Sequence, residues 1–256
     1  MSDVLAVKDI GRVRVITLSR PDVLNAINRQ MRAEMAEALR QANRDEAVGC
    51  VVLTGAGERA FAAGQDLREA LQLTAERAPA WIDEFDALYS ALRGLDKASI
   101  AAINGYAVGA GFQVTLLCDL RIASERAKVG MPEINDGIPC ITGTWTLWDI
   151  IGRSRTTELV LTGRLLEARE ALDWGLVHRV VPPAELMDAA LALAEEMAAK
   201  PQTAIRLNKE RWRQLTQRGA EEAREFARRA HAAAFASGEP RRAMEAFLAR
   251  RKVTDS

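Results

Sequence analysis

The chain has 256 residues, 48% of them hydrophobic and 27% charged, with 35 Lys+Arg balanced by 35 Asp+Glu. That is enough apolar material for one large domain, or for a domain with a helical appendage, and it supplies no net field to draw nucleic acid or an anionic membrane surface. Cys50, Cys118 and Cys140 are odd in number, widely spaced and without a CxxC pair, which argues against a disulfide framework or a zinc site and suits a reducing cytoplasm.

In chain order, the N-terminal run lacks a basic segment followed by an apolar segment and a cleavage site, so a cytoplasmic location is expected. Leu5 to Leu18 alternates between apolar and polar positions around a turn at Gly11, which predicts two strands ended by Arg20-Pro21. Ile27, Met31, Met35, Ala38 and Leu39 recur at helical spacing between Asn25 and Asn43, with Asn25 or Asn28 as N-cap. A short buried strand follows at Cys50 to Thr54, then a glycine-bearing loop opening a helix with Asp66 in its first turn, at the positive end of the dipole. A helical run spans Ala78 to Leu92.

Ala98 to Asp119 then reads as strand, Gly/Ala-rich turn and helix N-terminus. Gly105, Gly109 and Gly111 permit positive φ or close approach to a ligand, and the first N–H groups of the helix are left unpaired. Asn104 and Gln113 interrupt this apolar run, which marks it as a buried core element and not a membrane span. A further short strand is expected at Arg121 to Ala123, a turn-rich loop after Gly130, and a helix that stops at Gly152. From Pro183 the chain is expected to be helical, in runs at 184–199, 203–217, 221–236 and 240–251. Alternating β and α elements imply an α/β core.

His178 and His231 fall in a strand-like segment and on a charged helix face, and neither adjoins a nucleophile motif. The glycine spacing fits neither a dinucleotide fingerprint nor a phosphate loop. What remains is a pair of Gly/Ala turns opening helices, around Gln65 and Ala110, and one carboxylate, Glu133, beside glycine and proline. Two backbone N–H groups from such turns suit a reaction in which a carbonyl oxygen gains negative charge, a donor so placed contributing about 3 to 4 kcal/mol to the transition state.

The stretches RPDVLNAIN near the start, AFAAGQDLRE at 60–69, INGYAVGAGFQVTLLCDLRIA at 103–123, MPEINDGIP at 131–139 and LTGRLLEAREALDWGLVHRVVP at 161–182 resemble, in order, the crotonase or enoyl-CoA hydratase/isomerase superfamily. The resemblance implies a spiral of repeated ββα units over residues 1–182 carrying the acyl-CoA site, and a C-terminal helical trimerisation region over 183–256. It implies a homotrimer or dimer of trimers, a coenzyme A thioester as substrate and no tightly bound cofactor. By the same resemblance the amides of Gln65 and Ala110 would hold the thioester oxygen, and Asp66, Leu67 and Arg68 would line the acyl-CoA site. The backbone near Ala26 and Ala63 would meet the adenine end, and Phe247 and Arg250 on the last helix would reach a neighbouring subunit's coenzyme A.

Typical hydratases of that family carry two glutamates; here the second is Glu133 and the first position is Gln113. An amide has no pKa near neutrality and cannot be a general base, although it can orient water. Glu133 alone, its pKa raised by desolvation, suits proton transfer between carbons, so enoyl-CoA hydration is the nominal expectation and Δ3,Δ2-enoyl-CoA isomerisation the alternative, with a non-catalytic acyl-CoA binder as a third reading. Cys140 stands where many relatives have glycine, and Trp145 and Trp148 are expected to narrow the acyl pocket or to pack in the core.

Overall fold

A computed structural model describes residues 3–254, with side chains for all of these but 247 and 250–254. The expected contacts of Phe247 and Arg250 therefore lie outside the described residues. The chain opens with the antiparallel pair β1 (Leu5–Ile10) and β2 (Val13–Leu18), followed by α1 (Arg29–Arg44). Of the two candidate caps, Asn28 is the one used: its side chain accepts from Met31 N–H at 2.9 Å. Asn25 instead takes a left-handed conformation (φ 54) and is fully buried, its amide donating to the carbonyls of Ala56 and Ala60.

Successive units then repeat a common plan. β3 (Cys50–Gly55) joins a six-stranded sheet, β4 (Ala60–Ala62) a second, four-stranded one, and α2 (Leu67–Ala70) and α3 (Ala78–Arg93) complete the unit. In the next, β5 (Ala98–Ile103) and β6 (Tyr106–Val108) enter the same two sheets before α4 (Ala110–Leu117). In the third, β7 (Leu120–Ser124) and β8 (Lys128–Gly130) do so before a 3-10 turn at Pro132–Asp136 and α5 (Ile141–Thr162). β9 (Leu165–Glu167), α6 (Ala168–Asp173) and β10 (Arg179–Val181) close the sheets, whose orders are β1-β2-β3-β5-β7-β10 and β4-β6-β8-β9. This is the expected spiral of ββα units. The predicted Gly/Ala turn after β5 itself contains a strand, β6, too short for its alternation to register in the sequence.

Every residue of β3 is buried, so both faces of the large sheet are covered. Val51 and Leu53 face the principal core with α1 and α3, while Cys50 and Val52 face a smaller one closed by Ala190, Ala194 and Ala198 of α7 (Leu186–Ala199). The alanines, one per helical turn, bring α7 close enough to Gly49 that a Cβ there would lie 2.8 Å from that of Ala198.

The tail departs from expectation in one respect. The two runs predicted at 203–217 and 221–236 form a single helix, α8 (Gln202–Ser237), followed by α9 (Glu239–Thr254). Gly219 does not end the helix; it makes room for the indole of Trp145, whose Nε1 would lie 2.7 Å from a Cβ at that position. Gly152 does break α5 (φ 71, ψ 175), as predicted, but the helix resumes and runs on to Thr162, where Gly163 terminates it in the left-handed conformation. Lys209 anchors α8 to the core through Asp119 at 2.6 Å and the Lys97 carbonyl at 2.8 Å. Among the described residues no helix is long and apolar enough to cross a membrane.

Arg32 locks the first three helices. It is 1% exposed, pairs with Glu69 at 2.8 Å and Glu84 at 2.7 Å, and places its guanidinium 4.6 Å from the centre of the Phe85 ring. Because the two carboxylates keep some access to water, Arg32→Ala is expected to cost about 2 to 3 kcal/mol, somewhat less than removal of one partner from a fully buried pair. The check is the urea midpoint of unfolding.

Candidate active site

The site forms where two short segments meet. Ile27 donates to the Gly64 carbonyl at 2.8 Å and accepts from Asp66 N–H at 3.2 Å, a parallel bridge that engages the residues flanking Gln65 and leaves the Gln65 amide off the strap. Gly64 (φ 96) abuts the second segment closely: a Cβ there would lie 3.0 Å from Val108 O and 3.9 Å from Ala110 N. Ala110 is the first residue of α4, whose first helical bond runs from Gln113 N–H to Gly109 O, so the Ala110 N–H has no helical acceptor. Gly111 is required here, since a Cβ would collide with the Ala62 carbonyl.

Glu133 packs directly against this junction. A Cβ on Gly109 (φ 53) would lie 3.4 Å from the Glu133 carboxyl, which places the acid beside the Ala110 amide. Gln113, one helical turn along α4, donates from Nε2 to Glu133 Oε1 at 3.0 Å, and Glu133 Oε2 is buried without a partner. Burial pushes the Glu133 pKa from its ordinary 4.5 to about 7, against the opposing effect of the Gln113 hydrogen bond. An acid so tuned is close to half-ionised at neutral pH, where proton transfer in both directions is efficient.

These four residues, Gln65, Ala110, Gln113 and Glu133, line one cavity of about 290 Å³. One wall is the α3 face from Trp81 through Phe85 and Tyr89 to Arg93, about 18 Å long at the helical rise. α5 contributes Ile141 and Trp145, and α8 contributes Ala220, Arg224 and His231. The walls are mostly apolar and aromatic, with few polar groups converging at the 64–65, 109–113 and 133–136 segments, as small-molecule sites usually are.

Other expected positions divide. Ala63 and Leu67 line the cavity, whereas Ala26, Asp66 and Arg68 do not. The Asp66 carboxylate caps α2 by accepting from Arg68 N–H at 3.0 Å and pairs with Arg20 at 2.8 Å, which also donates to the Ala26 carbonyl. α2 is only one turn long, so the role of Asp66 is the cap and the ion pair, not the expected helix-dipole effect. Trp145 narrows the cavity as expected; Trp148 is 45% exposed and neither lines the cavity nor packs in the core. His231 is buried on the cavity wall, not on a charged face. Burial drives its pKa down to about 4, its Nδ1 lies 2.8 Å from Ala227 O, and it is neutral. Cys140 is buried beside Glu133, and desolvation followed by the acid's charge holds its pKa far above the ordinary value, so it is a thiol and not a nucleophile.

The α3 wall and Asp136 are cavity residues outside the set expected from the sequence. Leu88 and Leu92 of α3 are core while Trp81, Phe85 and Tyr89 face the cavity, and a helical apolar stripe looks the same in either case. For Asp136 a sign was present: it stands three residues after Glu133 in a segment beginning with proline.

The family model described as enoyl-CoA hydratase/isomerase matches residues 10–255. Among similar proteins, a probable enoyl-CoA hydratase of Rhizobium meliloti is 38% identical over 98% of this chain and 97% of its own length. A short-chain-enoyl-CoA hydratase of Clostridium acetobutylicum is 35% identical over 95% of this chain and 94% of its own. The crystal structure of an enoyl-CoA hydratase from Bacillus anthracis superposes with a TM-score of 0.79 at 34% identity, covering 88% of this chain and 89% of that one.

Proposed function

The chain belongs to the enoyl-CoA hydratase/isomerase family, and from that premise we propose that it adds water to 2-enoyl-CoA thioesters to give 3-hydroxyacyl-CoA. The single observation that carries the proposal is the packing of the Glu133 carboxyl against Gly109, beside the unpaired amide of Ala110. The thioester oxygen accepts from the N–H groups of Gln65 and Ala110, which stabilise the enolate formed when oxygen adds at Cβ, and Glu133 exchanges a proton with the reacting carbons. Leu67, which lines the cavity, contacts the acyl-CoA, and the backbone at Ala63 meets its adenine end. No tightly bound cofactor is needed for this chemistry.

The assembly implied is a homotrimer or dimer of trimers. It is supported by the large apolar side chains that α8 leaves exposed, Leu207, Trp212, Leu215 and Phe226. A cytoplasmic setting is supported by three free, buried cysteines.

Gln113 favours a second reading, Δ3,Δ2 double-bond isomerisation with Glu133 as the lone carrier of the proton. Proton NMR of crotonyl-CoA and a 3-enoyl-CoA in deuterated water separates the two. Formation of 3-hydroxybutyryl-CoA, with deuterium at Cα and no bond migration, is expected; migration without hydration overturns the hydratase reading.

A further inference from the structure

Hydration moves two protons, one off the attacking water and one onto Cα, and is faster when two positioned groups share the work than when a single carboxylate relays both. Gln113 cannot be either group, because its amide does not titrate near neutrality; it donates one N–H to Glu133. The geometry points to Asp136 as the second catalytic carboxylate, a role that rests on the hydratase reading.

Pro132–Asp136 is a 3-10 turn, in which residues three apart eclipse one another, so Glu133 and Asp136 emerge from the same side with Cα atoms about 6 Å apart. Both side chains line the cavity. The Asp136 carboxylate makes no hydrogen bond or ion pair with any described residue, although the residue is half-buried, and a partly desolvated carboxylate without a donor is costly to maintain for structure alone. Its charge is felt at Glu133, and burial raises its own pKa above the usual aspartate value. Gly137, left-handed at φ 68, ends the turn immediately and holds the pair against the start of α9.

The division of labour follows from these positions. Asp136, as the anion, takes a proton from water as the oxygen bonds to Cβ. The π electrons pass to the thioester oxygen at the Gln65 and Ala110 amides, then return to bond Cα to the proton of Glu133. One water is consumed, and afterwards the proton on Asp136 is lost to solvent while Glu133 regains one.

The test is Asp136→Asn, which keeps the shape of the side chain. Its kcat for crotonyl-CoA hydration is expected to fall about 10²-fold, with binding of butyryl-CoA by calorimetry changed less than about threefold and with the acid-side limb of the wild-type pH profile lost. A kcat within threefold of wild type overturns the inference, and so does a loss of rate that leaves the acid limb in place, since that marks a structural effect. A wild-type enzyme that hydrates no 2-enoyl thioester removes the hydratase reading and this inference together, whereas an unchanged Asp136→Asn in an active background removes the inference alone.

Discussion

Glu133→Gln is expected to lower kcat for enoyl-CoA hydration by between about 10²- and 10⁴-fold, the usual range for loss of a positioned acid or base, while butyryl-CoA still binds. The wild-type rate should decline on the alkaline side with a midpoint about 7, because that is where the protonated form of Glu133 disappears. The same substitution has an opposite consequence for stability. A carboxyl whose pKa rises from 4.5 in the unfolded chain to about 7 in the native site binds more protons when folded, so its contribution to stability falls as pH climbs through that interval. Glu133→Gln should therefore melt higher than wild type at pH 8, by on the order of 1 kcal/mol or more once partial access to water is allowed for, and the difference should vanish near pH 4. Thermal melts at the two pH values check the sign.

Ala110→Pro is expected to reduce kcat by about 10²- to 10³-fold, the loss typical of one oxyanion-hole donor. The helix backbone tolerates the substitution. Ala110 is the first residue of α4, where proline is well accommodated because no helical hydrogen bond is lost. The residue before it is glycine, which tolerates the restriction that proline imposes on its predecessor. The N–H is lost, and the ring Cδ takes its place facing the position of the thioester oxygen, so donor loss and added bulk act in the same direction on turnover. Steady-state kinetics with crotonyl-CoA, beside calorimetric binding of free coenzyme A, tests the assignment: turnover within threefold of wild type in a folded Ala110→Pro protein contradicts it, and unchanged binding of coenzyme A alone is the expected companion result.

The sequence carried the fold through features with short range. Alternation marked β1 and β2, β-branched runs marked β3 and β5, and Asn28 capped α1 one side-chain oxygen from where the helix begins. The Gly/Ala turns marked Gln65 and Ala110, the loop carboxylate marked Glu133, and the family resemblance alone marked Gln113; the structure brings the four into one cavity. What was not legible depended on contacts between distant segments. Arg32 reads as an ordinary helix cation until Glu69 and Glu84 are found on either side of it. The stretch between the runs at 203–217 and 221–236 reads as a break until Trp145 is found occupying the space that a side chain at Gly219 would fill. Asp136 reads as a turn residue until the turn is seen to be 3-10, because in an extended loop its side chain would not fall in line with that of Glu133.

Gly137 gives the tail of the chain a thermodynamic duty. A Cβ on Gly137 would lie 3.1 Å from the backbone of Glu239 and Pro240, so the turn bearing the acid groups is braced from behind by the first residues of α9. The entropy of fixing the carboxyl groups is thereby surrendered when the tail docks during folding, before any substrate arrives, and does not have to be met again in each turnover. Loosening the junction between α8 and α9 would return that disorder to the reaction step, and the loss would be seen in the activation entropy.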